Sequence, residues 1–183
     1  HRVDRRQRQM CIRDSLLNWA KSQTGQLNTN VEKINLSTII NDEIEQANTT
    51  ATVKNISLKS IPSKKIKIYS HGNMLKVILR NLISNAIKFT KSGGTVKVFY
   101  VIEQNHVEVT VSDNGVGIIK NIQDKLFDLS ENVITMGTEN ETGSGLGLVL
   151  CKELVTILGG NIWVESKEDK GCDFKFTIPL NNS

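Results

Sequence analysis

The sequence has few cysteines and no long apolar run, and these two absences exclude several classes of protein. Its three cysteines, Cys11, Cys151 and Cys172, show no CxxC or CxxH spacing, so neither a disulfide framework nor a zinc site is expected. No apolar run approaches the ~18 residues of a membrane-spanning helix, and no secretory signal is visible. With 38% hydrophobic and 23% charged residues, the composition is that of a soluble globular domain.

Arginine is almost missing after the first 13 residues. Five of the six arginines lie between Arg2 and Arg13, and the sixth is Arg80. Residues 1–14 therefore carry +3 of the net charge of +4. A basic arm for nucleic acid or anionic lipid would explain this segment, but so abrupt a change of usage favours a non-native or misassembled segment. The rest of the chain gives no reason to expect nucleic-acid binding or membrane contact.

The sequence does contain an alternation of helix and strand patterns that is typical of a two-layer α/β sandwich. Residues 15–30 look like the end of a helix, closed by Gly25, and a linker. The predicted helices cover about residues 37–53, with Ser37 as N-cap, 73–89, 146–158 and a short piece near 123–127. The predicted strands cover about residues 56–61, 66–69, 95–103, 106–112, 161–166 and 172–178. Those at 95–103 and 106–112 are expected to pair antiparallel through a turn near Gln104-Asn105.

The first segment whose residues could bind a ligand is NLISNAIKFT, from Asn81 to Thr90. The helix predicted over 73–89 has an apolar stripe from Leu75 to Ala86. Asparagine is a weak helix former, yet Asn81 and Asn85 lie one turn apart beside this stripe, and Lys88 follows on the same flank. A carboxamide oxygen suits Mg²⁺ whose other ligands are water and phosphate oxygens, and Lys88 supplies a positive charge for a phosphate. A polar helix edge with structural hydrogen bonds would also explain such a pattern.

The second segment is SDNGVGI, from Ser112 to Ile118. Asp113 lies at a strand end, and the glycines Gly115 and Gly117 would let the backbone approach a flat ligand closely. The carboxylate could accept a hydrogen bond from an exocyclic amine such as that of adenine. A tight turn after a strand is the commoner cause of this pattern on its own.

The third segment is TGSGLGL, from Thr142 to Leu148, at a predicted helix start. Closely spaced backbone N–H groups and the positive end of the helix make an anion site. The GxGxG spacing and the lack of an immediately preceding strand exclude the dinucleotide fingerprint. A P-loop is excluded because no Gly-Lys-Ser/Thr follows. Each segment is ambiguous alone, but their order and spacing together favour a nucleotide site.

In this order the three segments resemble the N box, G1 box and G2 box of the catalytic domain of bacterial sensor histidine kinases. That superfamily also includes gyrase, a heat-shock chaperone ATPase and a mismatch-repair ATPase. Lys125-Leu126-Phe127 resembles the F box, and residues 15–26 resemble the end of the dimerisation helix. The resemblance, over roughly residues 31–180, implies a Bergerat-type ATP-binding fold with a mixed sheet and three main helices on one face. Residues 31–183 would form this domain, with a lid at about 119–144.

The resemblance also implies a role for each matching residue. Asn85 would be the Mg²⁺ ligand, with Asn81 and Lys88 at the phosphates, and these three are the expected catalytic residues. Phe89 would lie against adenine, and Asp113 would bind its amino group. The other residues expected to line the ATP site are Gly115, Gly117, Ile118, Phe127, Gly143, Ser144, Gly145, Leu146, Gly147 and Leu148.

One departure from the ATPase relatives favours a kinase. Those relatives carry a glutamate one helical turn before the metal-binding asparagine, where it activates water as a general base. This chain has Asn81 there, which cannot take a proton at neutral pH, so phosphoryl transfer to another acceptor is expected. Neither His71 nor His106 is followed by the acidic residue and downstream proline of a phospho-accepting helix. Both are expected to be surface histidines, with the acceptor on a dimerisation domain absent from this chain.

The resemblance implies two partners, a homodimerisation and histidine-phosphotransfer domain of the same protein and the receiver domain of a response regulator. It places the domain in the cytoplasm, although the full-length protein could be anchored in the inner membrane. Two alternatives stay open. A non-catalytic nucleotide-binding signalling module is suggested by the lack of lysine and arginine between Leu126 and Leu150, and a serine kinase of the anti-sigma type is less consistent with residues 15–26.

Overall fold

A five-stranded mixed sheet is the main feature of the computed structural model, which describes residues 30–128, 137–141 and 145–180. The strands are β1 Glu32–Asn35, β2 Ser57–Ser60, β3 Lys67–Ser70, β4 Thr95–Ile102, β5 His106–Asp113, β6 Ile162–Lys167 and β7 Gly171–Pro179. The sheet order is β2-β4-β5-β7-β6, in which only the β2–β4 pair is parallel. β1 and β3 form a separate antiparallel pair. The predictions for residues 1–29 lie outside the described residues.

Three long helices cover one face of this sheet. The helices are α1 Leu36–Val53, α2 Gly72–Phe89, α3 Lys120–Gln123 and α4 Gly147–Ile157. α2 lies between α1 and α4 and packs on β4 and β5, while α4 packs on β6 and β7. The predicted two-layer α/β sandwich with three main helices is therefore confirmed. Within the described ranges, no helix has the length and apolar character needed to cross a membrane.

The apolar stripe of α2 determines how this helix is oriented. Its side chains are at most 1% exposed, and they are Leu75, Ile78, Leu79, Leu82, Ile83 and Ala86. Burial of one Leu or Ile side chain contributes ~1.5–3 kcal/mol, so this stripe outweighs any single polar contact of the helix. The polar residues Asn81, Asn85 and Lys88 lie part-exposed beside it. Core packing therefore places the polar flank of α2 at the edge of the sandwich.

The start of α1 differs from the sequence prediction. Asn35, the last residue of β1, is the N-cap, and its Oδ1 accepts a hydrogen bond of 3.1 Å from the Ser37 backbone amide. The predicted N-cap, Ser37, lies inside the helix, and its Oγ is 2.7 Å from the Tyr100 hydroxyl. The prediction was wrong because Ser37 forms a tertiary contact with β4 instead of a local one.

The short helix also lies earlier than predicted, over Lys120–Gln123 instead of 123–127. Gln123 is buried at its end, where Nε2 donates to the Ile118 carbonyl at 2.7 Å and to the Ser166 carbonyl at 3.0 Å. The second of these bonds ties the end of α3 to β6, so a tertiary contact again decides the local boundary.

Candidate nucleotide-binding site

The carboxyl end of α2 is where the predicted site segments meet. The Val116 amide, in the glycine turn after β5, donates to the Phe89 carbonyl at 3.1 Å. The Thr138 amide donates to the Lys88 carbonyl at 3.1 Å. The last carbonyls of a helix have no partner within the helix, so groups from outside it must satisfy them. The end of the N-box helix thereby joins the glycine turn and residues 137–141.

Asp113 ends β5 and is only 7% exposed. Its Oδ1 accepts hydrogen bonds from the backbone amides of Gly115 at 2.8 Å and Cys172 at 3.3 Å. Burial raises the pKa of Asp113 to about 6, although these two amide bonds act to lower it. A carboxyl with such a pKa is largely ionised at neutral pH and can accept a further hydrogen bond.

Strand register aligns two polar residues, Cys172 and Ser166, in a row with Asp113, and the sequence analysis did not identify either of them. Asp113 is opposite Cys172 on β7, which is opposite Ser166 on β6. The Ser166 Oγ is 3.1 Å from the Cys172 Sγ and donates to the Gly171 carbonyl at 2.7 Å. Burial raises the pKa of the Cys172 thiol to about 11, so it stays protonated at neutral pH. Only the pairing of three strands reveals this row, because no local motif marks it.

The two glycines of the turn after β5, Gly115 and Gly117, are required because other backbone atoms approach them closely. A Cβ on Gly115 would lie 2.3 Å from the Phe89 carbonyl oxygen. Gly117 has a φ of +71°, and a Cβ there would lie 2.1 Å from the Lys167 carbonyl oxygen. An L-residue with a side chain fits neither position without displacing backbone. The glycines therefore allow the turn to contact α2 and the β6–β7 turn closely.

Replacement of Gly115 with alanine is expected to separate the glycine turn from α2. The added methyl group would push the turn away from Phe89, which should cost about 1–3 kcal/mol of stability and weaken binding of an ATP analogue by at least about tenfold. Fluorescence titration and thermal unfolding measure the two effects. In Gly93→Ala, where nothing lies within 4 Å but φ is +83°, stability should fall while affinity is retained. Equal affinity losses in both variants would contradict this interpretation.

The start of α4 lies against Asn81 of α2. A Cβ on Gly147, the first residue of α4, would lie 2.7 Å from the Asn81 Oδ1. The Asn81 Nδ2 donates to the Val77 carbonyl at 2.9 Å, which holds the amide group in this orientation. Gly145 has a φ of +70°, and Leu146 is an N-cap whose side chain cannot cap the helix. The amino end of α4, which favours anions, therefore lies beside the polar flank of α2.

The remaining predicted residues lie around these contacts. The Lys88 Nζ is 4.9 Å from the centroid of the Phe89 ring, and the Phe127 ring packs edge-on against Phe174 at 6.4 Å between centroids. Ile118 and Leu148 pack against the core. Gly143 and Ser144 lie outside the described residues. The segments predicted to bind a nucleotide are thus gathered around α2, except for the part of the G2 box that is not described.

A depression of about 570 Å³ lies on the face of the sheet that the helices leave open. Its lining includes Lys59, Lys97, Ser112 and Asp173, which are opposite one another on neighbouring strands. Neither asparagine of the α2 flank contributes to it. Asp113, Cys172 and Ser166 also line it, so the depression borders the candidate nucleotide site at the end of β5 without reaching the α2 flank.

The two histidines occupy strand and helix ends. His71 is the N-cap of α2 and is part-exposed, and its Nδ1 is buried without a hydrogen-bond partner among the described residues. It lies at the opposite end of the 18-residue helix α2 from Lys88, a distance of about 25 Å along the axis. His106 starts β5, opposite Pro179.

This arrangement corresponds to the nucleotide-binding domains built as a two-layer α/β sandwich, in which one helix flank joins a carboxylate-glycine turn to a second helix start. The chain belongs to the family of histidine kinase-, DNA gyrase B- and HSP90-like ATPases, whose model matches residues 71–182. The family resemblance seen in the three sequence segments is therefore confirmed.

Individual relatives narrow the class within this family. The adaptive-response sensory kinase SasA of Prochlorococcus marinus (strain MIT 9313) is 33% identical over 153 residues, which cover 82% of this chain and 41% of the relative. The catalytic domain of the histidine kinase ThkA superposes with a TM-score of 0.71 at 27% identity and covers 82% of this chain and 96% of that one. ThkA in complex with the response regulator protein TrrA aligns with a TM-score of 0.69 at 24% identity, and the alignment covers 82% of this chain and 42% of that one.

These similarities identify the chain as an ATP-binding catalytic domain of the two-component sensor kinase type. The chain spans about 41% of the length of the SasA relative, so the similarity concerns this domain and not the activity of a whole kinase.

Proposed function

We propose that this domain transfers the γ-phosphoryl group of ATP to a histidine on the dimerisation domain of its own protein. The observation that carries the proposal is the environment of Asn81. Its amide group is held between the Val77 carbonyl and the start of α4, one turn before Asn85. Because a neutral amide cannot take a proton from water, the position that serves hydrolysis in ATPase relatives favours transfer to another acceptor.

Adenine recognition is assigned to Asp113. Both of its amide hydrogen bonds are made by Oδ1, and we propose that Oδ2 accepts from the amino group of adenine. Phe89, Ile118 and Phe127 supply apolar contacts for the ring, and Gly115 and Gly117 keep the turn close to it. The cost of burying the carboxylate, expressed in its raised pKa, would be offset by this hydrogen bond.

The phosphates and Mg²⁺ are assigned to the flank of α2 and the start of α4. Among the described residues, no group of three or more His, Cys, Asp and Glu side chains could hold a metal ion. A single amide ligand, Asn85, fits Mg²⁺, which is commonly held by few protein groups together with phosphates and water. When bound, Mg²⁺ would neutralise charge on the transferring phosphoryl group. Lys88 and residues 143–148 would bind the phosphates.

The partners and the domain division follow from the same proposal. ThkA was solved in complex with the response regulator TrrA, which supports a receiver domain as the final acceptor of the phosphoryl group. We propose that residues 15–30 lead from a homodimeric histidine-bearing domain, that 31–183 form the catalytic domain with a lid at about 119–144, and that 1–14 are not native to it. A domain that uses ATP and a receiver domain would work in the cytoplasm.

The test is a transfer assay between this chain and a separately produced dimerisation domain that carries the acceptor histidine. With Mg²⁺ and γ-labelled ATP, we expect acid-labile, base-stable phosphate on the acceptor domain, formed faster than free phosphate is released. An acceptor domain with His→Ala is the control and should stay unlabelled. Hydrolysis that outpaces transfer would contradict the kinase assignment.

A second function, nucleotide binding without catalysis, is favoured by one observation. The sequence from 127 to 149 contains no lysine or arginine, so this part of the lid would offer no side-chain cation to the terminal phosphate. ATP binding without any transfer in the same assay would support this signalling module instead of the kinase.

A further inference from the structure

Lys54 follows α1 as its C-cap and is only 6% exposed although it carries a charge. Its Nζ donates to the carbonyl oxygens of Ile87 at 3.0 Å and Lys88 at 2.8 Å, and to the Glu141 Oε1 at 2.5 Å. A lysine ammonium has three N–H donors, and all three find oxygen acceptors here. The burial of this charge is therefore compensated by a specific set of partners.

Two of those partners belong to the carboxyl end of α2, where carbonyls without helical partners carry the negative end of the helix dipole. The Lys88 carbonyl also accepts from the Thr138 amide at 3.1 Å and from the Thr138 Oγ1 at 3.3 Å. The same Oγ1 lies 3.1 Å from the Thr90 carbonyl. One end of α2 is thus capped jointly by Lys54 and by the segment 137–141.

Glu141 links this cap to the fold of the segment itself. While one of its oxygens accepts from Lys54, the other accepts from the Glu139 amide at 2.7 Å. Partial burial acts to raise the pKa of Glu141, but the hydrogen bond from Lys54 and that from the Glu139 amide hold it below its usual value. A Cβ on Gly137 would lie 2.6 Å from the Lys88 Cγ, so the segment lies directly against the Lys88 side chain.

We infer that Lys54 is a positioning residue of the nucleotide site, which fixes Lys88 and the segment 137–141 in place through one buried ammonium. This rests on the proposed function in so far as Lys88 binds a phosphate. Without the ammonium, the Glu141 carboxylate and two helix-end carbonyls lose a hydrogen-bond partner. The contact of the segment 137–141 with α2 is then weaker. Lys54 itself does not contact the nucleotide.

The experiment compares Lys54→Met and Glu141→Gln with the wild type in two measurements. Titration of a fluorescent ATP analogue should show affinity reduced about tenfold or more by Lys54→Met and severalfold by Glu141→Gln. The double variant should bind no more weakly than Lys54→Met alone, because both changes break the same link. Hydrogen exchange without nucleotide should become faster in residues 137–141 of each variant, with less change in the core strands.

Lys97→Met is the matched control, because Lys97 lies exposed on the open face of the sheet. It should bind the analogue within about twofold of the wild type and exchange normally. If Lys54→Met and Glu141→Gln lower thermal stability but retain wild-type affinity and exchange in 137–141, the inference is overturned. If the wild type binds no nucleotide, the proposed function fails, whereas faster exchange of 137–141 in the variants would still support the role of Lys54.

Discussion

Replacement of Asn85 with alanine is expected to lower the affinity for Mg·ATP by about 10- to 100-fold, equivalent to about 1.4–2.7 kcal/mol. Asn85 lies part-exposed on the flank of α2, between Asn81 and Lys88, and offers the amide oxygen proposed to bind the metal. Alanine is the better helix former, so the helix should persist without it. The measurement is a titration of a fluorescent ATP analogue with Mg²⁺ and again with a chelator.

The metal dependence distinguishes a ligand from a structural residue. In the presence of the chelator, the wild type and Asn85→Ala should bind the analogue equally weakly, because the proposed interaction of Asn85 passes through the metal. Asn48→Ala makes the same chemical change at an exposed position of α1 and should have no effect in either condition. An Asn85→Ala variant that keeps the wild-type response to Mg²⁺ would show that this residue is not the metal ligand.

Replacement of Asp113 with asparagine is expected to weaken ATP binding by about 10- to 100-fold at pH 7.5. A hydrogen bond to a charged, buried acceptor contributes about 1.5–3 kcal/mol, and an asparagine NH₂ would face the adenine amino group instead. Because burial raises the pKa of Asp113 to about 6, wild-type affinity should fall as the pH drops through 6 and approach that of the variant near pH 5. Protonation of the nucleotide affects the wild type and the variant equally, so it cancels in the ratio of their affinities at each pH.

The same substitution should stabilise the protein when no nucleotide is present. The pKa of Asp113 rises from 3.8 to about 6 in the folded protein, which corresponds to a cost of about 3 kcal/mol for the ionised form. The contribution of this raised pKa to the stability of the folded protein is fully present below pH 3.8 and is lost as the pH rises through 6. Asp113→Asn should therefore be more stable by up to about 3 kcal/mol at pH 7, with the difference vanishing near pH 4.

Thermal unfolding at pH 4, 5.5 and 7 measures this difference. Asp42→Asn, at an exposed position of α1, should change neither stability nor affinity appreciably. If Asp113→Asn is less stable than the wild type at pH 7 without nucleotide, the carboxylate is not held at a cost, and ligand binding has no such cost to offset.

The position of α2 could be predicted from the sequence because the spacing of its aliphatic residues determines it. Aliphatic residues at helical spacing from Leu75 to Ala86 required a buried stripe, and the asparagines beside it could then lie only at its edge. The antiparallel pairing of β4 with β5 was likewise predicted and is confirmed, since a short polar turn leaves neighbouring strands few other arrangements.

Other features depend on residues far apart in the chain. The sequence pattern did not predict β1 or its pairing with β3, because Ile34 is the single apolar residue of β1 and one such residue shows no alternation. No local pattern marks Lys54, because its partners lie 33, 34 and 87 residues away. The row from Asp113 to Ser166 likewise exists only through the register of three strands.

The amino-acid sequence by itself determined the class of this protein, because hydrophobic periods and glycine spacings are local and three such segments in order are specific to one family. Only the tertiary structure decided which groups complete the site. Hydrogen bonds and burial between distant residues follow from how helices and strands pack, and no local pattern encodes a buried lysine that joins the ends of two helices.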